Sequence, residues 1–451
     1  MRQMNFALAL LAAAALAACG GTGSSGGDQT HKVAFTQQVT FGDSLSDVGT
    51  YNVGAITAAG GGKFTINGDN TAANSAYTGL NWTEVLAAEL NLPKPCAAQT
   101  GLQGTDSATP ALDFNVPIVN NANCFNYAQG GARVTDPIGP GNRAVKPELG
   151  EMTLPVVSQV ANHLAKTGGK FTGTELVTIM AGGNDVLMQL GGLSAGATAA
   201  GTAAGQKAFP TLLIGGLVAT VPAANQATAQ QRIGLAVQTS AAAGGNQTAI
   251  ATAAITAAAQ LGANVQAAQA AAAKAGTDAQ AAGAKAGADY AAAQGPVLVA
   301  ALGKAGAELA AIVKTQLVAK GANYVVVNNL PDVASTPSGK AQSADTQALI
   351  RAMVDTFNAQ LKAGLGDDPR IAYVDLFTVS HDQVINPAIY GLTNTSQKAC
   401  TTESSLTCTK STLSAPDVSH YMFADDIHPT PYEYWLVTRY VLKDMAVKGW
   451  L

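Results

Sequence analysis

The chain has 451 residues, enough for one large domain or two to three average ones. Only 12% are charged against 47% hydrophobic, and much of the hydrophobic share is Ala. With 25 Lys and Arg against 29 Asp and Glu, the net charge is −4, which leaves no basic surface for nucleic acid.

Arg2 precedes an apolar run, Phe6 to Ala18, that is too short to span a bilayer and is followed at once by Gly and Ser. The run closes on Leu16-Ala17-Ala18-Cys19. Small residues before a cut fit a signal peptide over 1–18, and a Cys directly after them resembles a bacterial lipobox. There the Cys is lipidated and becomes the first mature residue. A plain secretory signal with an incidental Cys is the other reading. On the lipoprotein reading, residues 19–33 are a lipidated Cys and a flexible tether, an anchor to a membrane without a spanning helix. Gly20, where an Asp would signal inner-membrane retention, points to the outer membrane or cell surface; the plain signal implies a periplasmic or secreted chain. With Cys19 set aside, Cys96, Cys124, Cys400 and Cys408 are an even number in an exported chain, which suits two disulfides. Cys400–Cys408 would close a short loop and Cys96–Cys124 a longer one, but the sequence does not choose among the three pairings. No CxxC pair or His/Cys cluster suggests a metal, and no cofactor is expected.

Val33 to Phe41 is β-like and leads into a Gly-Asp-Ser turn. In SAYTGLNWTEVLAAELNLP, residues 75–93, the apolar Trp82, Val85, Leu86 and Leu90 recur at helical spacing, and Pro93 ends the helix. Residues 94–123, rich in Pro, Gly and Asn, read as loop. Three short apolar runs follow, Leu176–Met180, Tyr324–Val327 and Ile371–Leu376, with helices expected over 296–319, 341–364 and 430–446. Buried runs alternating with helices predict an α/β chain around a mostly parallel sheet. Between about 191 and 295 the composition turns to Ala, Gly, Gln and Thr. This stretch predicts an insertion of Ala-rich helices broken into pieces by its glycines, such as Thr248–Leu261 and Gln266–Ala275. It fits either a lid over the site or a weakly selected, partly mobile appendage.

A nucleophilic serine needs a base, an orienter for the base, and donors for the oxyanion. FGDSLSDVGT, residues 41–50, offers Ser44 and Ser46 between Asp43 and Asp47 at the end of a strand. NYAQGGARV, 126–134, places a Gly pair after a possible short strand. MAGGNDV, 180–186, places Asn184 at a strand's end. Of the five histidines, His428 in FADDIHPT has Asp425 three residues before it and Pro429 after, close enough for a carboxylate to meet the ring. His31 falls in the tether, His163 on a helix as a surface or packing residue, and His381 and His420 lack such a pattern.

These four blocks, in this order, resemble those of the GDSL lipase/esterase family of the SGNH-hydrolase superfamily. NWTEVLAAELNLP, NNLPDVASTP and INPAIYGLTN are similar to the segments between the family's blocks. The resemblance covers about residues 34–190 and 296–446. It implies a three-layer αβα sandwich, as one domain over 34–451 with the helical insertion. It also implies a serine ester hydrolase without cofactor, acting on acyl esters or lipids as a bacterial exported enzyme, and working as a monomer. Ser44 matches the nucleophile, Asp425 and His428 the orienter and base. The backbone N–H groups of Ser44 and Gly131 and the side chain of Asn184 match the oxyanion donors. One departure is Ala424, where the family often has an aromatic. The same residues would serve a carbohydrate O-acetyl esterase or an acyltransferase, and a non-catalytic surface-binding lipoprotein is the alternative of another class.

Overall fold

Alternating β-branched and large apolar residues build a central sheet whose two faces feed two different cores. The structure is a computed structural model that describes residues 33–68 and 75–451. The expected signal segment, Cys19 and His31 lie outside the described residues. In chain order the elements are β1 (Gln38–Gly42), α1 (Gly54–Ala58), α2 (Trp82–Glu89), β2 (Gln99–Gln103), β3 (Asn115–Asn120), α3 (Val156–Lys166), β4 (Leu176–Met180), α4 (Gly183–Val218), α5 (Gln226–Ala242), α6 (Gln247–Ala259), α7 (Val265–Ile312), β5 (Tyr324–Asn328), α8 (Pro337–Lys340), α9 (Ala344–Leu365), β6 (Ile371–Val374), α10 (Leu376–Ile385), β7 (Asn394–Lys398), β8 (Tyr421–Phe423) and α11 (Pro431–Val447).

The central sheet is parallel, in the order β1-β4-β5-β6. Phe41 stands opposite Ile179, and Ile179 opposite Val327. Because side chains alternate along a strand, Phe41, Ile179 and Val327 enter a core shared with α3, α7 and α9. Leu176, Val326 and Val374 point the other way, into a core shared with α2 and α11. The chain is therefore α/β with a parallel central sheet, and all four strands end at one edge. Parallel sheets gather their sites at that edge.

Two local expectations need correction. Residues 94–123 are not all loop: β2 and β3 form an antiparallel pair. Cross-strand pairing there overrides the turn-prone composition. The Ala-rich stretch is broken at only some of its glycines: Gly244-Gly245 and Gly262 separate α5, α6 and α7, and Thr248–Leu261 is largely α6, but the other glycines lie inside helices longer than expected. α4 runs for 36 residues and α7 for 48, about 54 and 72 Å at 1.5 Å per residue. Gly costs about 1 kcal/mol against Ala in a helix, but here it lets two backbones meet. A Cβ on Gly201 would lie 2.8 Å from the Gly283 carbonyl oxygen, and one on Gly283 would lie 2.7 Å from that of Gly201. Phe209, Leu213, Leu217, Ile233 and Val237 join Ala side chains in a separate core for this bundle. Positions 191 and 295 thus fall inside continuous helices, α4 beginning beside the sheet and α7 ending there. One helix end also differs: α2 stops at Glu89, ahead of Pro93, because Asn91 takes a left-handed φ of 54°.

Candidate active site

β1 delivers the first functional residue. Its last residue, Gly42, has φ of 150°, and a Cβ there would lie 2.3 Å from the Met180 carbonyl oxygen. Only glycine fits this crossing of β1 past β4. Gln159 of α3 holds the same peptide from both sides, accepting from the Gly42 N–H and donating to its carbonyl, each at 2.8 Å. The chain then turns. Leu45 N–H donates to Asp43 Oδ1 at 3.1 Å and Ser46 N–H to the Asp43 carbonyl at 3.0 Å. This is the Asp-led turn expected of the residue type. It sends the two serines apart. Ser44 Oγ reaches a cavity, whereas Ser46 is fully buried and its Oγ accepts from Trp82 Nε1 at 3.2 Å.

The loop after β8 carries the base. Ser44 Oγ lies 2.9 Å from His428 Nε2, and His428 Nδ1 lies 2.8 Å from Asp425 Oδ2. Asp425 is fixed by backbone donors. Ile427 and His428 N–H donate to its Oδ1 at 2.9 and 2.8 Å, and Ser405 N–H donates to its Oδ2 at 2.6 Å. Ser405 belongs to the loop closed by the Cys400–Cys408 disulfide. Phe64 packs on the His428 ring, with centroids 4.9 Å apart. Ala424 is buried with Ile66, Val418 and that disulfide, which occupy the space beside it.

Electrostatics follow from this packing. Burial pushes the Asp425 pKa up, but the charge and hydrogen bond of His428 and the Ser405 N–H outweigh it and hold the carboxyl well below the usual range. For His428, burial lowers the pKa, and the Asp425 carboxylate more than offsets this, leaving it above its ordinary value. Burial also pushes Asp43 up to about 7, against the Leu45 N–H and the His428 charge.

The donor side is built from two glycine-rich turns. Asp47 accepts from the N–H groups of Gly49, Thr50 and Gly130 at 2.9, 2.8 and 2.9 Å. It thereby ties the turn after Ser44 to the Gly130-Gly131 turn. Gly131 has φ of 75°. The segment leading into it, 121–130, forms no strand; it holds one isolated bridging residue, Asn126, which pairs with Thr40 of β1 and with Ala97. Asn184, second residue of α4, donates to the Ala132 carbonyl at 2.9 Å. Beside it Asp185 accepts from Arg133 Nε at 3.0 Å and from Val134 N–H at 3.1 Å. The first turn of α4 and the Gly131 segment are thus clamped together, and the helix N-terminus adds partial positive charge where an anion would form.

Ser44, Gly131, Asn184 and His428 line one cavity of about 240 Å³. Leu330, Pro331 and Val333, after β5, form one wall; Gly141, Lys146, Glu151 and Ser404 belong to the other. Leu45, Met180 and Ile427 separate this cavity from an apolar one of about 50 Å³. An imidazole bonded to a hydroxyl and backed by a carboxylate can activate that hydroxyl, and nearby donors can meet an oxyanion.

The remaining candidates lie elsewhere. His163 is a packing residue, stacked on Phe171 at 4.6 Å and pushed down to a pKa of about 4 by burial. His381 pairs with Asp332 at 2.7 Å, and His420 contacts Ser419 and Tyr432; neither lines the cavity. The cysteines pair as Cys96–Cys124 and Cys400–Cys408. Sequence reasoning missed Gln159, Asp185, Ser405 and Glu151. Only Asp185 carried a signal, its place next to Asn184 in a strand-to-helix turn.

No family model matches the chain. Among curated proteins, it is 27% identical over 149 residues to the anther-specific proline-rich protein APG of Arabidopsis thaliana, covering 31% of this chain and 28% of that one. It is 24% identical over 153 residues to a GDSL esterase/lipase of Arabidopsis thaliana, covering 30% of this chain and 41% of that protein. The chain therefore matches less than half the length of either relative. The second similarity is distant and partial, and suggests an ester hydrolase.

Proposed function

We propose that this chain is a serine ester hydrolase of the GDSL family, with Ser44 as nucleophile, His428 as general base and Asp425 as its orienter. The observation that carries the reading is the unbroken relay from Ser44 Oγ through His428 to Asp425, at 2.9 and 2.8 Å, opening on a cavity also lined by Gly131 and Asn184. The distant similarity to a GDSL esterase/lipase supports it. In this reading Ser44 Oγ attacks the ester carbonyl while His428 Nε2 takes its proton. The backbone N–H groups of Ser44 and Gly131 and the Asn184 amide receive the oxyanion. His428 then gives its proton to the departing alcohol, leaving an acyl-enzyme. Water repeats the sequence: His428 takes its proton, the carboxylate product leaves, and Ser44 recovers its hydrogen. The acyl group lies against Leu330, Pro331 and Val333, so the substrates are acyl esters or lipids.

We read the architecture as a three-layer αβα sandwich formed by one domain over 34–451, interrupted by the helical bundle and active as a monomer. The chain is exported, with Cys19 lipidated and the enzyme held at an outer membrane or cell surface; the two disulfides support an oxidising location. Covalent labelling by a fluorophosphonate probe and hydrolysis of p-nitrophenyl butyrate test the assignment. Wild type should react in both assays and Ser44→Ala in neither. A folded wild type that takes no label would favour a non-catalytic binding role.

A further inference from the structure

One buried side chain in the cavity has no part in the relay. Glu151 is only 5% exposed, yet it lines the cavity beside Gly131 and His428. None of the described residues donates a hydrogen bond to its carboxyl group; its interactions with Asp47, His428 and Lys146 are through charge alone. Two glycines make room for it. Its Oε2 would lie 3.0 Å from a Cβ on Gly131 and 1.8 Å from one on Gly141. Its backbone is pinned there, with the Glu151 N–H donating to the Gly141 carbonyl at 2.9 Å. A buried carboxyl without a partner is costly, and this one faces the space a ligand would fill.

The sheet order says which part of an ester it would meet. Asn126 bridges to β1 on the edge away from β4, so the Gly131 segment and Glu151 flank Ser44 on that side. The apolar wall of Leu330, Pro331 and Val333 follows β5, on the opposite side of Ser44. With the acyl chain against the apolar wall, the alcohol part of the ester falls against Glu151. Lys146, in the same wall, turns its Nζ toward Glu403, 3.8 Å away, and Glu403 is largely exposed. Burial pushes Glu151 up to about 7, so near neutral pH its carboxyl group can both donate and accept. A hydroxyl group offers the same two capacities, whereas a phosphate or carboxylate on the alcohol would be repelled.

We infer that Glu151 is a substrate-binding residue that hydrogen-bonds a free hydroxyl on the alcohol part of the ester, selecting esters of polyols such as glycerol or a sugar. The inference rests on the ester-hydrolase reading above. The test compares wild type, Glu151→Leu and Glu151→Gln on esters sharing one acyl group: ethyl butyrate, 1-butyrylglycerol and 6-O-butyrylglucose. Glu151→Leu should lower kcat/KM by about tenfold to a hundredfold on at least one hydroxylated ester and by less than about threefold on ethyl butyrate. Glu151→Gln should restore part of the loss. Whichever hydroxylated ester is affected identifies glycerol or sugar as the alcohol. Equal losses on all three esters, or no loss on either hydroxylated one, would overturn the inference while leaving the hydrolase reading intact. A wild type inactive on all three and unlabelled by the fluorophosphonate would overturn both.

Discussion

Replacing Cys400 and Cys408 by Ser together opens the loop whose Ser405 N–H lies 2.6 Å from Asp425 Oδ2. The two disulfides then separate stability from activity. With closed spans of 8 and 28 residues, loop entropy assigns about 2.5 kcal/mol to Cys400–Cys408 and about 3.6 kcal/mol to Cys96–Cys124 at 25 °C. A hydrogen bond to a charged group is worth about 1.5–3 kcal/mol. Asp425 retains the Ile427 and His428 donors, so losing Ser405 should lower kcat by about tenfold rather than abolish it. Paired measurements of urea unfolding and p-nitrophenyl butyrate hydrolysis, at temperatures where both variants remain folded, supply the two readouts. The Cys400/Cys408 variant should lose less stability but more kcat; the Cys96/Cys124 variant should show the reverse. If opening the Cys96–Cys124 loop costs as much kcat, or opening the shorter loop costs none, Ser405 is not a support of Asp425.

Three further outcomes follow from the same site. Asn184→Ala should lower kcat by roughly 10²–10³, equivalent to about 2.7–4 kcal/mol, with a smaller change in KM; near-full kcat would remove Asn184 from the oxyanion site. His428 must be neutral to accept the Ser44 proton, and its pKa is raised, so the acid limb of kcat/KM against pH should be centred above 6.5. The sign for stability is opposite: the raised pKa of His428 contributes fully below the unfolded value of about 6.5 and is lost as pH rises through the folded value, whereas the lowered pKa of Asp425 contributes above the unfolded carboxyl value of about 3.9 and is lost in acid. A limb centred below 6.5 would contradict the pairing. Ser46→Ala leaves the Trp82 indole N–H without its acceptor, which should cost about 1–3 kcal/mol in urea unfolding with kcat nearly unchanged. A large kcat loss at unchanged stability would reopen the choice between the two serines.

The catalytic candidates were legible because each sits within a few residues of its structural cause. Ser44 follows a strand, Asn184 follows another, and Asp425 lies within one turn of His428. Their supports were not legible, since these come from distant segments and carry no local pattern. Gln159 reaches Gly42 across 117 positions, and Ser405 reaches Asp425 across 20. The β2–β3 pair was hidden because Pro, Gly and Asn mark turns locally, while pairing is decided by the facing strand. Glycine misled in the bundle for a related reason. One helix alone reads it as a weak point, whereas two helices together use it as a contact.

That contact makes the bundle's length adjustable. Cβ positions built on Gly201, Gly205 and Gly287 meet the carbonyls of Gly283, Ala279 and Ala197 in turn, so each step along α4 is matched by an equal step back along α7. Removing seven residues from each helix on the far side of these rungs, about two turns, would draw the far end in by roughly 10 Å and keep the rungs aligned. Removing seven from one helix alone would shift every contact beyond the cut. Insertions and deletions in this stretch should therefore be tolerated in matched pairs, lengthening or shortening the projection like a ladder without disturbing the edge of the sheet from which it rises.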